Sequence, residues 1–462
     1  MISITRSSIF VAALLSSVPH LFAQRLNGAW QSQGYGYIFQ ISDSSVNVFD
    51  VTTTTCVFHF KARRDGTERP GRETTFITKD GDVYFIRAGG EADRKLLHND
   101  GAASDIRIDR LPMMPKVCNP RTNDTPASNF EVFTRTFAEH YISFDLKKYD
   151  WDRIVADNRQ KLTARTSAAD LFEMFQSMIK PLGDSHTFIY APKMKRRFQG
   201  IRPGTDRVAR GGFRAFEKKG KYELLGVTDR AYVQGPLRKF CNDQIEYGHI
   251  DSTMGYLRIW SFTGYSKQST FDAGSKALES ALDQIFSDPH LKALVIDMRI
   301  NFGGYDPWGL DIASRLARAE YLAYTKYARV DSTDRDKWTE DDPNVIHPTS
   351  RPGFPGPVVV LTGPLTISGG ETFAQALMGR TPKVIRIGEN TQGVFSDVLV
   401  RRLPNGWTFG LPNEVYRTPD GTAFDGVGIA PDITVPVFAD DDVAAGRDPG
   451  MAKAIEVLSG TQ

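Results

Sequence analysis

Cysteine is scarce in this chain of 462 residues: there are three, and none has a companion at metal-ligand spacing. Nothing in the sequence therefore points to a zinc or iron–sulfur framework. Neither sign of charge is in excess. Lys and Arg number 57 against 55 Asp and Glu, a net +2, which gives no reason to expect nucleic acid or a strongly charged partner. Beyond residue 23 no run is long and apolar enough to span a bilayer. Internal repeats and low-complexity tracts are absent. Histidine is rare too, eight in all, so each can be weighed individually. Core-forming material is ample: 40% hydrophobic against 24% charged residues, enough for more than one domain.

The N-terminus differs in character. Arg6 precedes the apolar run Ile9-Phe-Val-Ala-Ala-Leu-Leu15, and Ala23 offers a cut site, which is the form of a secretory signal peptide over residues 1–23. Leu21, third before the cut, is larger than the small residue preferred there. The expectation is a soluble mature chain, secreted or periplasmic. Export admits a Cys56–Cys118 bridge with Cys241 left over, although spacing does not fix the pairing.

Residues 24–118 read as β. Tyr35–Ile41, Ser45–Phe49, Cys56–Phe60, Thr74–Thr78 and Asp82–Arg87 alternate or are rich in β-branched and aromatic residues, with Gly- and Asp-containing turns between them. The pattern predicts a small all-β barrel or sandwich with no catalytic cluster. Asn119-Pro-Arg-Thr-Asn-Asp-Thr-Pro126 opens a linker over 119–129. Residues 130–190 form a helical subdomain: Phe133, Phe137 and Tyr141 recur at helix spacing, as do Leu171, Phe175 and Met178. It ends in the turn Gly183-Asp-Ser-His-Thr187. A basic, Gly-containing insert follows over 191–245. From 246 to 440 strands and helices alternate, which predicts an α/β core around a largely parallel sheet; 441–462 is a C-terminal tail.

Within that core the apolar run Pro357-Val-Val-Val-Leu361 stops at Gly363 and Pro364, and Glu371–Met378 has a helical pattern. Ser368 therefore stands on a strand-to-helix turn before two glycines, with free backbone N–H groups and the positive end of a helix dipole beside its hydroxyl. Two readings follow: an N-cap with Glu371 closing a capping box, or a nucleophile. A nucleophile needs a base and oxyanion donors. His186 lies on a polar turn; as a lone loop histidine it reads equally as solvated. Arg299-Ile-Asn-Phe-Gly-Gly304 directly follows a buried strand, where paired glycines can turn N–H groups into a crevice or simply make a tight turn. Pro419–Asp432 offers several carboxylates among turn residues.

Together these segments resemble one family. Asp297-Met-Arg-Ile-Asn-Phe-Gly-Gly304 is similar to its D-x-R-x-N-x-G-G turn, and Thr366-Ile-Ser-Gly-Gly-Glu-Thr-Phe-Ala374 to its S-x-x-E nucleophile segment. Gly388-Glu-Asn-Thr-Gln-Gly393 and Gly426-Val-Gly-Ile-Ala-Pro-Asp-Ile-Thr-Val435 match two later motifs. The family is that of the tail-specific (C-terminal processing) serine peptidases, with the tricorn core protease and the retinoid-binding-protein-like branch. The resemblance covers residues 130–435 and implies a ClpP/crotonase-like α/β core with a helical N-terminal subdomain.

Tail-specific proteases use a Ser–Lys dyad, with the lysine at the position held here by Gly393. The Leu182-Gly-Asp-Ser-His-Thr187 turn instead resembles the tricorn-like branch, in which a Ser-His pair operates. The resemblance thus implies Ser368 as nucleophile, His186 as base and Ser185 as the connection to a carboxylate. That carboxylate is Asp425, where the branch has the longer Glu, with Glu414 as the reserve. The oxyanion falls to the N–H of Gly369 and of Gly304 or Gly303, with Gly304 preferred. The implied activity is a serine endopeptidase acting on a peptide or protein through an acyl-enzyme, without metal or organic cofactor. Residues 189–247 are too short for a full PDZ domain. The alternative is a binding protein for an apolar ligand or peptide on the same fold. Oligomeric state is not legible.

Overall fold

The computed structural model describes residues 26–66, 74–205, 208, 221–330, 334 and 336–460. The predicted signal peptide and much of the basic stretch around residue 210 lie outside the described residues.

Eight antiparallel strands close into a barrel in simple up-and-down order. They are β1 (Gly28–Ser32), β2 (Tyr37–Ile41), β3 (Ser45–Val51), β4 (Cys56–Asp65), β5 (Thr74–Thr78), β6 (Val83–Gly89), β7 (Glu91–Asn99) and β8 (Ile106–Leu111), with β8 pairing back onto β1. Three exceed the sequence reading: β1, β7 and β8. β7, Glu-Ala-Asp-Arg-Lys-Leu-Leu-His-Asn, shows why, since its first half is charged and exposed. Inward-facing Trp30, Phe39, Val48, Phe76, Ile86 and Ile108 fill the interior. Closure leaves no free sheet edge. Cys56 is bonded to Cys118, which ties β4 to the end of the barrel, and Cys241 is free and buried.

The helical block comprises α1 (Pro126–His140), α2 (Trp151–Arg159) and α3 (Ala168–Ile179). Helix α1 starts where Thr125 Oγ1 caps the Ser128 N–H at 3.1 Å and Pro126 takes the first turn. The aromatic spacing read in the sequence is core: Phe133 stacks on Phe175 at 4.1 Å, and Phe137 and Trp151 pack beside them. After α3 come the hairpin strands β9 (Phe188–Ala191) and β10 (Arg196–Gln199), then helix α4 (Lys221–Tyr232).

The core sheet has the order β11-β12-β13-β14-β18-β20-β24. Strands β11 (Gln234–Phe240), β12 (Ile245–His249) and β13 (Met254–Ile259) are antiparallel, so the sheet's edge reaches into the stretch read as an insert. From β13 onward, β14 (Ala293–Asp297), β18 (Val358–Thr362), β20 (Ile385–Gly388) and β24 (Ile433–Thr434) run parallel. Buried on both faces, β14 and β18 read as continuous apolar runs. Helix α5 (Phe271–Phe286) links β13 to β14. The short strand β15 (Ile300–Asn301), helix α6 (Asp306–Leu316), and strands β16 (Tyr321–Ala328) and β17 (Asp342–Ile346) precede β18. Strand β19 (Leu365–Thr366) and helix α7 (Gly369–Ala376) follow it. Strands β21 (Val398–Arg402), β22 (Thr408–Pro412) and β23 (Glu414–Arg417) lie between β20 and β24, and helices α8 (Asp440–Ala444) and α9 (Pro449–Ser459) end the chain. Strand β22 pairs with β9, bringing the helical block onto the core, and β21 extends that small sheet.

The barrel docks on the core through buried charge. Arg401, 1% exposed, lies 3.4 Å from Asp50 of the barrel and stacks over Tyr37 at 4.2 Å. Among the described residues no helix is long and apolar enough to cross a membrane.

Candidate active site

Two short strands set the geometry. β15 and β19 pair in parallel, Ile300 with Leu365 and Asn301 with Thr366, so the turns that follow them lie side by side. Ser368 stands two residues after the end of β19 at φ 54°, ψ −124°, a left-handed conformation unusual for a residue with a side chain. Such strain persists only where the surroundings over-determine it, and it gathers at functional sites. The surroundings here are tight. A Cβ on Gly303 would stand 2.7 Å from the Ile367 carbonyl, and one on Gly369 2.7 Å from the Gly304 carbonyl. Only glycine permits the two turns to approach this closely.

The turn glycines are not equivalent. Asn301 Oδ1 accepts the Gly303 N–H at 2.9 Å, while Asn301 Nδ2 donates to the Ile259 carbonyl at 2.8 Å. Gly303 is thus already committed and drops out as an oxyanion donor. The N–H groups of Gly304 and Gly369 have no acceptor among the described residues. Gly369 is the first residue of α7, where the helix dipole adds partial positive charge.

The capping box read in the sequence is present, and in it the Glu371 carboxylate accepts the Ser368 N–H at 3.3 Å. The same carboxylate accepts from Gly393 N–H at 2.5 Å and Val394 N–H at 2.8 Å. Burial still pushes its pKa up to about 7, against these hydrogen bonds.

His186 is set by its own turn. Asp184 Oδ1 accepts the His186 N–H at 2.9 Å, the Asp184 carbonyl accepts from the Thr187 hydroxyl at 2.7 Å, and Tyr141 Oη donates to Asp184 Oδ2 at 2.9 Å. Strand β9 then begins at Phe188 and pairs with β22, so the turn is braced from both sides. Burial lowers the imidazole pKa below its ordinary 6.5; Asp184, Asp397 and the backbone of Ser396 oppose that shift. The ring is therefore neutral at pH 7, as a proton acceptor requires.

Ser368, His186 and Ser185 line one cleft of about 610 Å3. Trp260, Phe302, Ile201 and Ile367 supply its apolar surface and Asn242, Gln244 and Gln199 its neutral polar groups; among the described residues His186 is the one ionisable side chain on its walls. No hydrogen bond joins Ser368 to His186 among the described residues. Three buried atoms nearby also lack partners: Ser185 Oγ, His186 Nδ1 and Asp425 Oδ2. Burial, and next the Glu371 carboxylate, raise the Asp425 pKa to about 8. Glu414 is committed elsewhere: it accepts from Tyr35 Oη at 2.5 Å and from the Asp397 N–H at 3.2 Å, and lies 3.4 Å from Lys326 Nζ. Sequence reasoning does not reach the roles of Asn301 and Asp184, and reads Glu371 only as a cap of Ser368, without its hold on Gly393 and Val394. Asp184 left a local sign, an aspartate two residues before the histidine it braces.

Residues 253–435 match the family described as Peptidase family S41, and residues 122–180 match the Tricorn protease C1 domain. The carboxyl-terminal-processing peptidase 2 of Arabidopsis thaliana chloroplasts is 30% identical over 174 residues, 37% of this chain and 32% of that protein. The carboxy-terminal-processing protease of Bartonella bacilliformis is 27% identical over 186 residues, 40% of this chain and 39% of that one. The matches thus span 32% and 39% of these relatives' lengths. Among solved structures, a proposed peptidase from Parabacteroides merdae superposes with a TM-score of 0.59 at 23% identity, covering 73% of this chain and 97% of that one. Mature CPAF superposes at 0.52 with 14% identity, over 73% and 96%. These two likenesses concern the fold.

Proposed function

We propose that this chain, whose core belongs to peptidase family S41, is a serine endopeptidase of the secreted or periplasmic space. The observation that carries the reading is the juxtaposition of Ser368 and His186 on one cleft with the unclaimed N–H groups of Gly304 and Gly369 beside the serine. His186 takes the proton from Ser368 Oγ as that oxygen attacks a peptide carbonyl. The carbonyl oxygen becomes an oxyanion held by Gly304 and Gly369; one such donor is worth about 3 kcal/mol. The protonated His186 then gives its proton to the departing amine. Water, deprotonated by the same ring, hydrolyses the acyl-Ser368 ester. Ser185 and Asp425 supply the remaining link, with Asp425 orienting Ser185 against His186 Nδ1.

A fluorophosphonate probe tests the reading. It labels the wild-type chain at Ser368, and Ser368→Ala and His186→Ala each abolish labelling. A wild type that stays unlabelled and cleaves no member of a peptide library overturns the peptidase reading and leaves the cleft, with its apolar lining, as a ligand site.

A further inference from the structure

A second cleft, of about 1090 Å3, lies where the barrel meets the turn between β21 and β22, and it shares no lining residue with the Ser368 cleft. One wall is β4 with the β5–β6 turn; the other is Arg121–Thr122 and Arg402–Gly406. Phe58 and Phe60 of β4 both line the cleft, where a bulge at His59 interrupts the strand's alternation, and Phe60 stacks on Tyr84 at 5.3 Å to make an aromatic floor. Phe58 is 39% exposed.

Five exposed cations line the same cleft: Lys61, Arg63, Lys79, Arg121 and Arg402. None is ion-paired among the described residues. Two carboxylates line the cleft with them, and Asp82 of these accepts from Thr78 Oγ1 at 3.0 Å. Elsewhere on the barrel several cations are paired with carboxylates. Arg87 pairs with Asp105 at 2.7 Å, Arg94 with Asp109 at 3.0 Å and Arg110 with Asp93 at 3.5 Å. Among the described residues the cleft thus carries five cations against two carboxylates, in a chain whose net charge is only +2.

We infer that this cleft docks an acidic peptide segment carrying aromatic or large apolar side chains. Cations held over a concave, partly apolar surface attract carboxylates more strongly than cations on a flat, solvated face. The aromatic floor supplies contact area and cation–π surroundings. Strand addition to the barrel is not available, since the barrel is closed. Recognition falls to side chains, which favours a segment with charged and aromatic residues alternating along its length.

Fluorescence anisotropy with a fluorescein-labelled peptide of alternating Glu and Phe tests the inference, using the mature Ser368→Ala chain so that nothing is cleaved. Expected is saturable binding that weakens steeply between about 50 and 500 mM salt. The double variant Arg63→Glu/Arg402→Glu binds at least about tenfold more weakly, whereas Arg153→Glu on helix α2 binds as the parent does. A matching Lys-Phe peptide does not bind. If the double reversal alters the thermal melt, the milder Arg63→Gln/Arg402→Gln gives the same readout with a smaller loss. Absence of saturable binding, equal affinity for both peptides, undiminished affinity in the variants, or preference for a single-stranded oligonucleotide overturns it.

Discussion

The carboxylate of Glu371 accepts the backbone N–H of Gly393 at 2.5 Å, which fastens the helix of the candidate nucleophile to the position where a dyad lysine would stand. Gly393 has φ +83°, and a Cβ built there would meet the backbone nitrogens of Gly428 at 2.8 Å and Val427 at 2.9 Å. The backbone, not only the residue type, is thus closed to a lysine. Gly393→Lys is expected to be destabilising by at least about 1–3 kcal/mol from the strained backbone alone, and to leave His186→Ala unlabelled when the two are combined. Recovery of fluorophosphonate labelling in the double variant would refute this.

Titration should separate the base from the carboxylate. His186 is lowered below 6.5 by burial, so the first rise in labelling rate with pH lies below 6.5. Asp425, raised to about 8, loses its proton later, and a second rise through about pH 8 marks it if its carboxylate orients Ser185. Asp425→Asn abolishes the second rise and keeps the first. Stability moves the other way. A carboxyl whose folded pKa is raised contributes most below its ordinary 3.8, and that contribution is lost as pH rises through about 8. Asp425→Asn therefore gains melting temperature relative to wild type from pH 5 to pH 8. Melts whose difference is flat across that range count against a buried, protonated Asp425.

Much of the fold is legible in the sequence because its signals are local. The four-residue apolar runs of β14 and β18, the aromatic spacing of α1 and α3, and the Gly-Gly turns all announce themselves within a few residues. What escapes is set by partners distant in the chain. The barrel closes only when the half-polar β7 and β8 find β6 and β1, and β11 joins the core sheet by pairing with β12 despite its largely exposed sequence. The site divides in the same way. Ser368 and His186 are read from motifs, but which glycine N–H remains free depends on Asn301, and the fate of Glu414 depends on Tyr35 from the barrel, 379 residues away.

A buried ionic knot stands behind the oxyanion turn. Arg299 binds Asp297 at 2.7 Å and Asp448 at 2.8 Å, Thr228 donates to Asp448 at 2.5 Å, and Asp297 also accepts from Tyr256 at 2.7 Å. It joins β14, α4 and the start of α9. Removing one partner leaves an uncompensated buried charge, so Asp448→Ala costs about 3–5 kcal/mol, read as a lower denaturation midpoint. Arg299→Lys is not conservative here, because an ammonium cannot reproduce the planar fork between two carboxylates. It is expected to fall between wild type and Asp448→Ala in stability. A midpoint unchanged in both variants would mean that packing alone holds this region.

Asn301 offers the sharpest test of the oxyanion assignment. It is fully buried, and its amide spans the Gly303 N–H and the Ile259 carbonyl. Truncation to Ala strands both groups at about 1–3 kcal/mol each and frees the turn to rotate, which misplaces the Gly304 N–H. Loss of one oxyanion donor lowers kcat by about 100-fold to 1000-fold. Because the donor acts on charge that develops during reaction, the loss falls on kcat and leaves KM nearly unchanged. Asn301→Asp preserves the acceptor for Gly303 but sets a carboxyl beside the developing oxyanion, so its kcat falls at least as far while its turn stays in place. If Asn301→Ala instead raises KM with kcat intact, the turn binds substrate and the oxyanion lies elsewhere.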